Sequence, residues 1–308
     1  MAQNNNNKES NFISAVVCLH DAGRAAVDFF AALNGVLAHH FAHYELIAVN
    51  DGCTDGTVPA VKEWAAANLA APLTVVNMSL RQGVEKAMNA GLDAAIGDFV
   101  FEFDRPAMGC DPDLIWQAYQ KALAGFDVVT VCPSRQRLMS RAFYRVFNKF
   151  SNSPYKLSTD AFRLVSRRAV NRVKAISDDL AYRKAAYAAS GLACASLTFE
   201  GTAAKDDEPR LDKAVDSLAL YTDAGYKLSL GISLGMMVLT MVALVYTVAV
   251  FCLGQPIAGW TTTMLVLSAG LSGLFFILTI AVKYLDLLVR LTFKKQSYLI
   301  EGVEKLQK

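Results

Sequence analysis

Between Leu228 and Val282 the chain carries no Asp, Glu, Lys or Arg. Two apolar runs, Leu228 to Gly254 and Thr261 to Val282, flank a short Pro/Gly turn at 255–260. As helices they reach about 40 and about 33 Å at 1.5 Å per residue, against roughly 30 Å of bilayer hydrocarbon. A helical hairpin in water needs a polar stripe along each helix, and neither run has one. The expectation is a two-helix transmembrane hairpin. It accounts for the composition, 54% hydrophobic and 19% charged, because the apolar excess lies after Lys227. Lys213 and Lys227 precede the first span, and Lys283, Arg290, Lys294 and Lys295 follow the second; the turn between them has no basic residue. The positive-inside rule then predicts that both flanks are cytoplasmic. The expected location is the cytoplasmic (inner) membrane, multi-pass, with 283–308 as a cytoplasmic tail.

The rest of the chain has a different rhythm. Strand-like runs at Ile13 to Leu19, Leu46 to Val49, Leu73 to Val76, Phe99 to Phe103 and Asp127 to Val131 alternate with helical segments. Those segments are Ala25 to Leu37, Val58 to Leu69, Gly83 to Ala95 and Pro112 to Ala124, with Thr57 in an N-cap position. A last strand-like stretch runs from Leu192 to Phe199. The alternation predicts an α/β, Rossmann-like domain over 11–204, its sheet mostly parallel with helices on both faces. Residues 1–10 include four consecutive Asn and have the composition of a disordered end. They lack the basic and apolar regions of a signal peptide. Lys205 to Lys213 is a charged link, and Leu211 to Tyr226 mixes acids with Leu and Tyr. That mixture suits a helix lying on a membrane surface, and equally an amphipathic packing helix.

The six cysteines show no C-x-x-C and no zinc spacing, which fits reduced thiols. A net charge of +2 provides no whole-chain affinity for nucleic acid. Chemistry concentrates where strands end. Glu45 to Thr57 runs from a buried strand into a turn carrying Asn50, Asp51 and Asp55; Asp21 and Asp104 follow two other strands. Acids at the carboxyl edge of an open parallel sheet suit a nucleoside diphosphate and a cation. The first turn has no G-x-G-x-x-G, which weighs against a dinucleotide fold. Ser134 to Lys149 is basic, and Arg137, Arg141 and Arg145 fall on one helix face at i, i+4 and i+8. That face is either a solvated basic surface or an anion site. Asp160-Ala-Phe-Arg163 is a compact acid–aromatic–Arg cluster. His39, His40 and His43 have no H-E-x-x-H pattern and read as a helix end.

With these residues in view the chain resembles family 2 glycosyltransferases of the GT-A fold, of the polyprenyl-phosphate type that includes bactoprenol glucosyltransferases and dolichyl-phosphate mannose synthases. The residues behind the resemblance are Ile13 to Asp21, Val49-Asn-Asp-Gly-Cys-Thr-Asp-Gly-Thr57, Arg81-Gln-Gly83 with Ala87, Gly91, Ala95 and Gly97-Asp98, Asp160 to Leu164, and the two-span end with Gly259-Trp260, Tyr284-Leu285 and Arg290. The resemblance implies inverting transfer of a sugar from a nucleotide-sugar donor to polyprenyl phosphate or a related lipid-linked acceptor. It also implies roles. Asp104, Arg135 and Arg163 take the catalytic positions; Asp21, Asn50, Asp51, Arg81 and Arg105 lie on the donor side, Asp51 facing the base. Arg141 and Arg145 stand near the acceptor phosphate. Mg²⁺ or Mn²⁺ is held at Asp104. The partners are then the donor, the lipid acceptor and the membrane, without nucleic acid; a homo-oligomer stays open.

The chain departs from the family at several places. Asp104-Arg105-Pro106 stands where the family has Asp-x-Asp, so one carboxylate is lost and a guanidinium adjoins the other. Lys205 to Lys213 occupies the place of Arg-x-x-Gly-x-Ser-Lys, Cys18 that of Pro, and Ala22 that of Glu. A lipid phosphate is already an anionic nucleophile, so it needs positioning and charge stabilisation rather than a general base. Arg105 is placed to counter a leaving diphosphate instead of a metal. The alternative reading is a non-catalytic glycosyltransferase-like membrane subunit that binds nucleotide or partner proteins.

Overall fold

The short apolar runs of the first 200 residues pair side by side in the computed structural model, which describes residues 8–136, 138–150, 155–176, 182–202, 224–254, 259–292 and 298–306. Arg137, the 203–223 link with most of the proposed interfacial helix, and residues 1–7 of the expected disordered end lie outside the described residues. The chain forms two compact units, Met1–Ala214 with Lys294–Lys308, and Val215–Phe293.

The first unit contains β1 (Ile13–Leu19), α1 (Arg24–His40), β2 (Tyr44–Asn50), α2 (Thr57–Asn68), β3 (Leu73–Met78), α3 (Val84–Ala94), β4 (Phe99–Phe103) and α4 (Asp113–Leu123). It continues with β5 (Val128–Arg135), α5 (Leu138–Phe150), β6 (Phe162–Ser166), α6 (Arg167–Ile176), α7 (Arg183–Ala189), β7 (Cys194–Thr202) and β8 (Ile300–Leu306). The strands form one sheet in the order β7-β5-β6-β4-β1-β2-β3-β8. β1 pairs in parallel with β2 and β4, β2 with β3, and β5 with β7. β6 and β8 run antiparallel to their neighbours. The carboxyl ends of β1 to β5 and β7 therefore share one edge of the sheet.

The two faces are covered differently. Ala15, Val17, Leu46, Ala48, Phe101 and Phe103 pack with Phe29, Phe30, Leu33, Val61, Ile115 and Tyr119 of α1, α2 and α4. On the other face α3 approaches closely at Gly91, where a Cβ would stand 2.3 Å from Val16 Cγ1 and 2.7 Å from Val49 Cγ2. Any side chain there would lift α3 off the sheet.

Two strands escape the sequence reading. β6 begins at Phe162 within the Asp160 to Arg163 cluster and runs to Ser166, and it inserts between β4 and β5. β8 lies within the expected tail. Its apolar residues recur every third position (Ile300, Val303, Leu306) instead of alternating, which hides it from a period-two search. Backbone pairing to β3 holds it at the edge of the sheet. The amino-terminal end is also partly ordered: Glu9 N–H donates to His40 O at 2.9 Å, and Ala42 N–H to Glu9 O at 2.9 Å. Thr57 is the first helical residue of α2 and caps nothing; its hydroxyl accepts from the Ala22 and Gly23 amides across the turn. His40 stacks on Trp116 with ring centroids 4.3 Å apart, a packing role for the histidine group.

The second unit contains α8 (Ala224–Leu253) and α9 (Trp260–Thr292). Leu230–Leu253 and Trp260–Val282 are 24 and 23 residues long, apolar enough to cross a membrane. Their polarity is inverted relative to a hairpin in water. Ser233, Thr240, Thr247 and Ser268 are buried, while Leu239, Val242, Val245, Tyr246, Phe276 and Ile277 are exposed. Ser233 Oγ donates to Phe275 O at 2.8 Å, and the Thr240 and Ser272 hydroxyls bond at 2.7 Å. Small hydroxyl residues between helices with large apolar ones outside is the arrangement used in lipid. α9 continues as helix past Val282, through Lys283 and Arg290, where the sequence reading begins a tail.

Candidate functional site

The turns after β1, β2 and β3 interlock through backbone amides. Asp21, at φ 41°, is a rare non-glycine in the left-handed region, which Asp tolerates better than most residues. Its carboxylate accepts from Thr54 N–H at 2.7 Å, Thr54 Oγ1 at 3.1 Å and Asp55 N–H at 3.3 Å. Asp55 accepts in return from Gly23 N–H at 3.1 Å. These bonds, first among them that from the Thr54 amide for Asp21 and those from Thr57 for Asp55, hold both carboxyls below the usual range. Asp21, Cys53 and Asp55 converge closely, but the amides already engage both carboxylates, so the cluster is explained as a turn.

Asp51 is turned inward. It is 2% exposed, and Oδ1 accepts from Gln82 N–H at 2.7 Å while Oδ2 accepts from Gly83 N–H at 3.0 Å. The carboxylate expected on the base side thus satisfies orphan amides at the start of α3. The close approach requires Gly52, at φ 67°, where a Cβ would lie 2.7 Å from Arg81 N. Asn50 is also engaged, accepting from Cys53 N–H at 2.8 Å and donating to Asn77 Oδ1 at 3.0 Å. The same loop is tied to the start of β8. Gln82 Nε2 donates to Leu299 O at 2.7 Å, and Leu299 N–H donates to Gln82 Oε1 at 3.0 Å. Arg81 is exposed on this loop.

A second cluster, built of charge, forms at the end of β4. Residues two apart on a strand share a face, so Glu102 and Asp104 both point away from the Phe101 and Phe103 core. Register places Arg163 of β6 opposite Glu102. Arg163 Nη1 donates to Glu102 Oε2 at 2.9 Å, Nη2 to Asp104 Oδ2 at 3.1 Å, and Nε to Asp160 Oδ2 at 3.0 Å. From α7, Arg183 Nη2 donates to Asp104 Oδ1 at 2.5 Å, and its Nε stands 3.2 Å from Glu102 Oε2 and 3.5 Å from Glu85 Oε2. Lys184 pairs with Asp160, and the Tyr187 hydroxyl donates to Glu102 Oε1 at 2.6 Å. Arg163 is 1% exposed and Arg183 0%.

Burial alone would raise the Asp104 pKa; Arg163, Arg183, Lys184 and Arg105 outweigh it and hold the carboxyl well below its usual range. Glu85 goes the other way, raised because burial dominates over Arg183. Arg163 is therefore a holder of three carboxylates, with each edge of its guanidinium in use. Asp104 keeps 28% of its side chain exposed, yet each oxygen already accepts from a guanidinium.

The remaining basic candidates are outward. Arg135, at the end of β5, and Arg141 and Arg145 of α5 are exposed, and Arg105 is half-buried. In strand order β5 is two places from β4, about 10 Å at the usual strand spacing. Sequence reasoning missed Glu85, Glu102, Arg183, Lys184 and Tyr187. Glu102 carried a signal, a lone acid within an apolar strand and two residues before Asp104; the α7 residues carried none.

Known proteins share parts of this chain. It is 29% identical over 205 residues to an uncharacterized glycosyltransferase of Synechocystis sp., covering 64% of this chain and 62% of the relative. It is 32% identical over 139 residues to a prophage bactoprenol glucosyl transferase homolog of Escherichia coli, covering 42% of this chain and 44% of the relative. The matched region thus spans less than two thirds of these relatives' own length, 62% of the first and 44% of the second. Among solved structures, a mannosyltransferase from Pyrobaculum calidifontis in complex with GDP-Man and Mn²⁺ aligns with TM-score 0.49 at 16% identity, over 92% of this chain and 79% of that one. The glycosyl transferase family 2 model matches residues 15–174, more than half of the chain, from β1 through α6 and across every carboxylate of both clusters, and the chain belongs to that family of glycosyltransferases.

Proposed function

We propose that this protein is a membrane-anchored, inverting glycosyltransferase of the GT-A type. It moves one sugar from a nucleotide-sugar donor to polyprenyl phosphate, or a related lipid-linked acceptor, at the cytoplasmic face. The observation that carries this reading is the joining, in one chain, of a family 2 domain to a two-helix apolar hairpin whose hydroxyl side chains face inward. The naming of several relatives as bactoprenol glucosyl transferases supports a lipid-phosphate acceptor.

The chemistry follows from the acceptor. A phosphate oxygen attacks the anomeric carbon without first losing a proton, so a missing general base is no obstacle. Catalysis then rests on positioning and on countering the leaving diphosphate. Asp21, Asn50, Asp51 and Arg81 shape the donor turns, with Asp51 acting through the amides it holds. Arg105 and Arg135 provide positive charge at the carboxyl edge, Arg141 and Arg145 receive the acceptor phosphate, and Arg163 positions Asp104.

The test is transfer from radiolabelled UDP- and GDP-sugars to polyprenyl phosphate by the full chain in nanodiscs, beside calorimetric binding of UDP and GDP. Lipid-soluble product is expected with one donor. No binding of any nucleotide would end the enzyme reading. One observation favours a second reading, a non-catalytic subunit: both oxygens of Asp104 are engaged within the protein. Nucleotide binding without turnover on any lipid phosphate would select it.

A further inference from the structure

The donor atoms at the end of β4 do not fit a divalent cation. Mg²⁺ between a protein and a diphosphate is ordinarily held by one or two carboxylates with lone pairs to offer. Pro106 removes the second carboxylate of the expected pair, and the two oxygens of Asp104 each accept from a different guanidinium. Those guanidiniums are fixed in place. Glu102 and Asp160 hold the other edges of Arg163, while Glu85 and Glu102 flank Arg183. An incoming ion would need to push buried cations off Asp104 and then stand beside Lys184 as well, leaving charges that water cannot reach.

We propose that Arg183, together with Arg163, takes the place of the divalent cation at Asp104. The donor diphosphate is then countered by the protein's own cations, with Arg105 as the group offered to it. This rests on the donor-site reading above and adds to it a residue and a mode of charge balance. Arg183 works through Asp104 and is a positioning residue. With no ion to hold, one carboxylate suffices to orient the arginines.

Two measurements on the full chain in detergent distinguish the possibilities. In the first, Mn²⁺ alone is titrated against the protein and followed by electron paramagnetic resonance. The wild type is expected to bind no Mn²⁺ that an Asp104→Asn change removes. Asp104-dependent Mn²⁺ binding by the wild type would overturn the proposal. Arg183→Gln, checked for folding by its circular dichroism, is expected to gain Mn²⁺ binding that a second change, Asp104→Asn, abolishes; a folded Arg183→Gln protein without that gain counts against Arg183. Should the variant not fold, the wild-type titration still supports or overturns the proposal. In the second, UDP and GDP affinities are compared in Mn²⁺ and in EDTA. A change under about twofold is expected, and a loss of about tenfold or more in EDTA, some 1.4 kcal/mol, overturns the proposal. If no nucleotide binds under either condition the donor-site reading fails, and the Mn²⁺ titration alone still decides whether the arginines exclude the ion.

Discussion

The donor turns and the β4 network both bring carboxylates to one edge of the sheet, yet they satisfy them by opposite means. Around Asp21, Asp51 and Asp55 the partners are mainly backbone amides. Around Glu102, Asp104 and Asp160 they are mainly guanidinium and ammonium groups. An amide fixes the path of a loop without adding net charge. A buried cation fixes charge and leaves the backbone free. The first cluster therefore sets shape and the second sets potential, and substitutions in the two should fail differently.

The largest effect is expected in the network. Arg163→Ala would remove a cation shared by Glu102, Asp104 and Asp160, and breaking a buried ion pair costs about 3–5 kcal/mol. A denaturant titration checks this; a midpoint within error of wild type would mean the network contributes little to stability. An intermediate effect is expected at the turns. Asp51→Ala leaves the Gln82 and Gly83 amides without their acceptor, at about 1–3 kcal/mol, and Asp51→Asn, which keeps one acceptor oxygen, should recover part of it. Amide hydrogen exchange at Gln82 and Gly83 reads this locally, and unchanged protection in Asp51→Ala would refute the holding role.

The smallest effect is the acid response, which has one sign in the turns and mixed signs in the network. Asp21 and Asp55 have depressed pKa values, so what they contribute is present above the unfolded carboxyl value and lost as pH falls through the folded one. Asp104 acts in the same sense, whereas Glu85, raised by burial, contributes below its unfolded value and loses that as pH rises through the folded one. The network therefore offsets itself in part. Asp21→Asn should flatten the fall in melting temperature below about pH 4 more than Glu85→Gln does; equal slopes would remove the distinction.

Much of the fold was legible because burial leaves a local pattern. The β1 to β5 alternation follows from short apolar runs broken by Gly and Asp, and the two membrane-length helices from 55 consecutive positions, 228–282, without a charge. Asp51-Gly52 was legible as a turn, although its direction was not: whether a carboxylate faces a ligand or an amide depends on where the next loop passes. β8 stayed hidden because a strand at a sheet edge, held by backbone pairing and mostly exposed, needs no alternation.

By itself the sequence determined the α/β class, the positions of the strand-end acids and the apolar hairpin, since these depend on residues near one another in the chain. Only the tertiary structure decided what those acids do. Asp104 meets Arg163 59 residues away and Arg183 79 residues away, and no periodicity encodes which cation meets which carboxylate. That pairing is set when β6 inserts beside β4 and α7 packs over it, and it surrounds Asp104 with the guanidinium groups of Arg163 and Arg183.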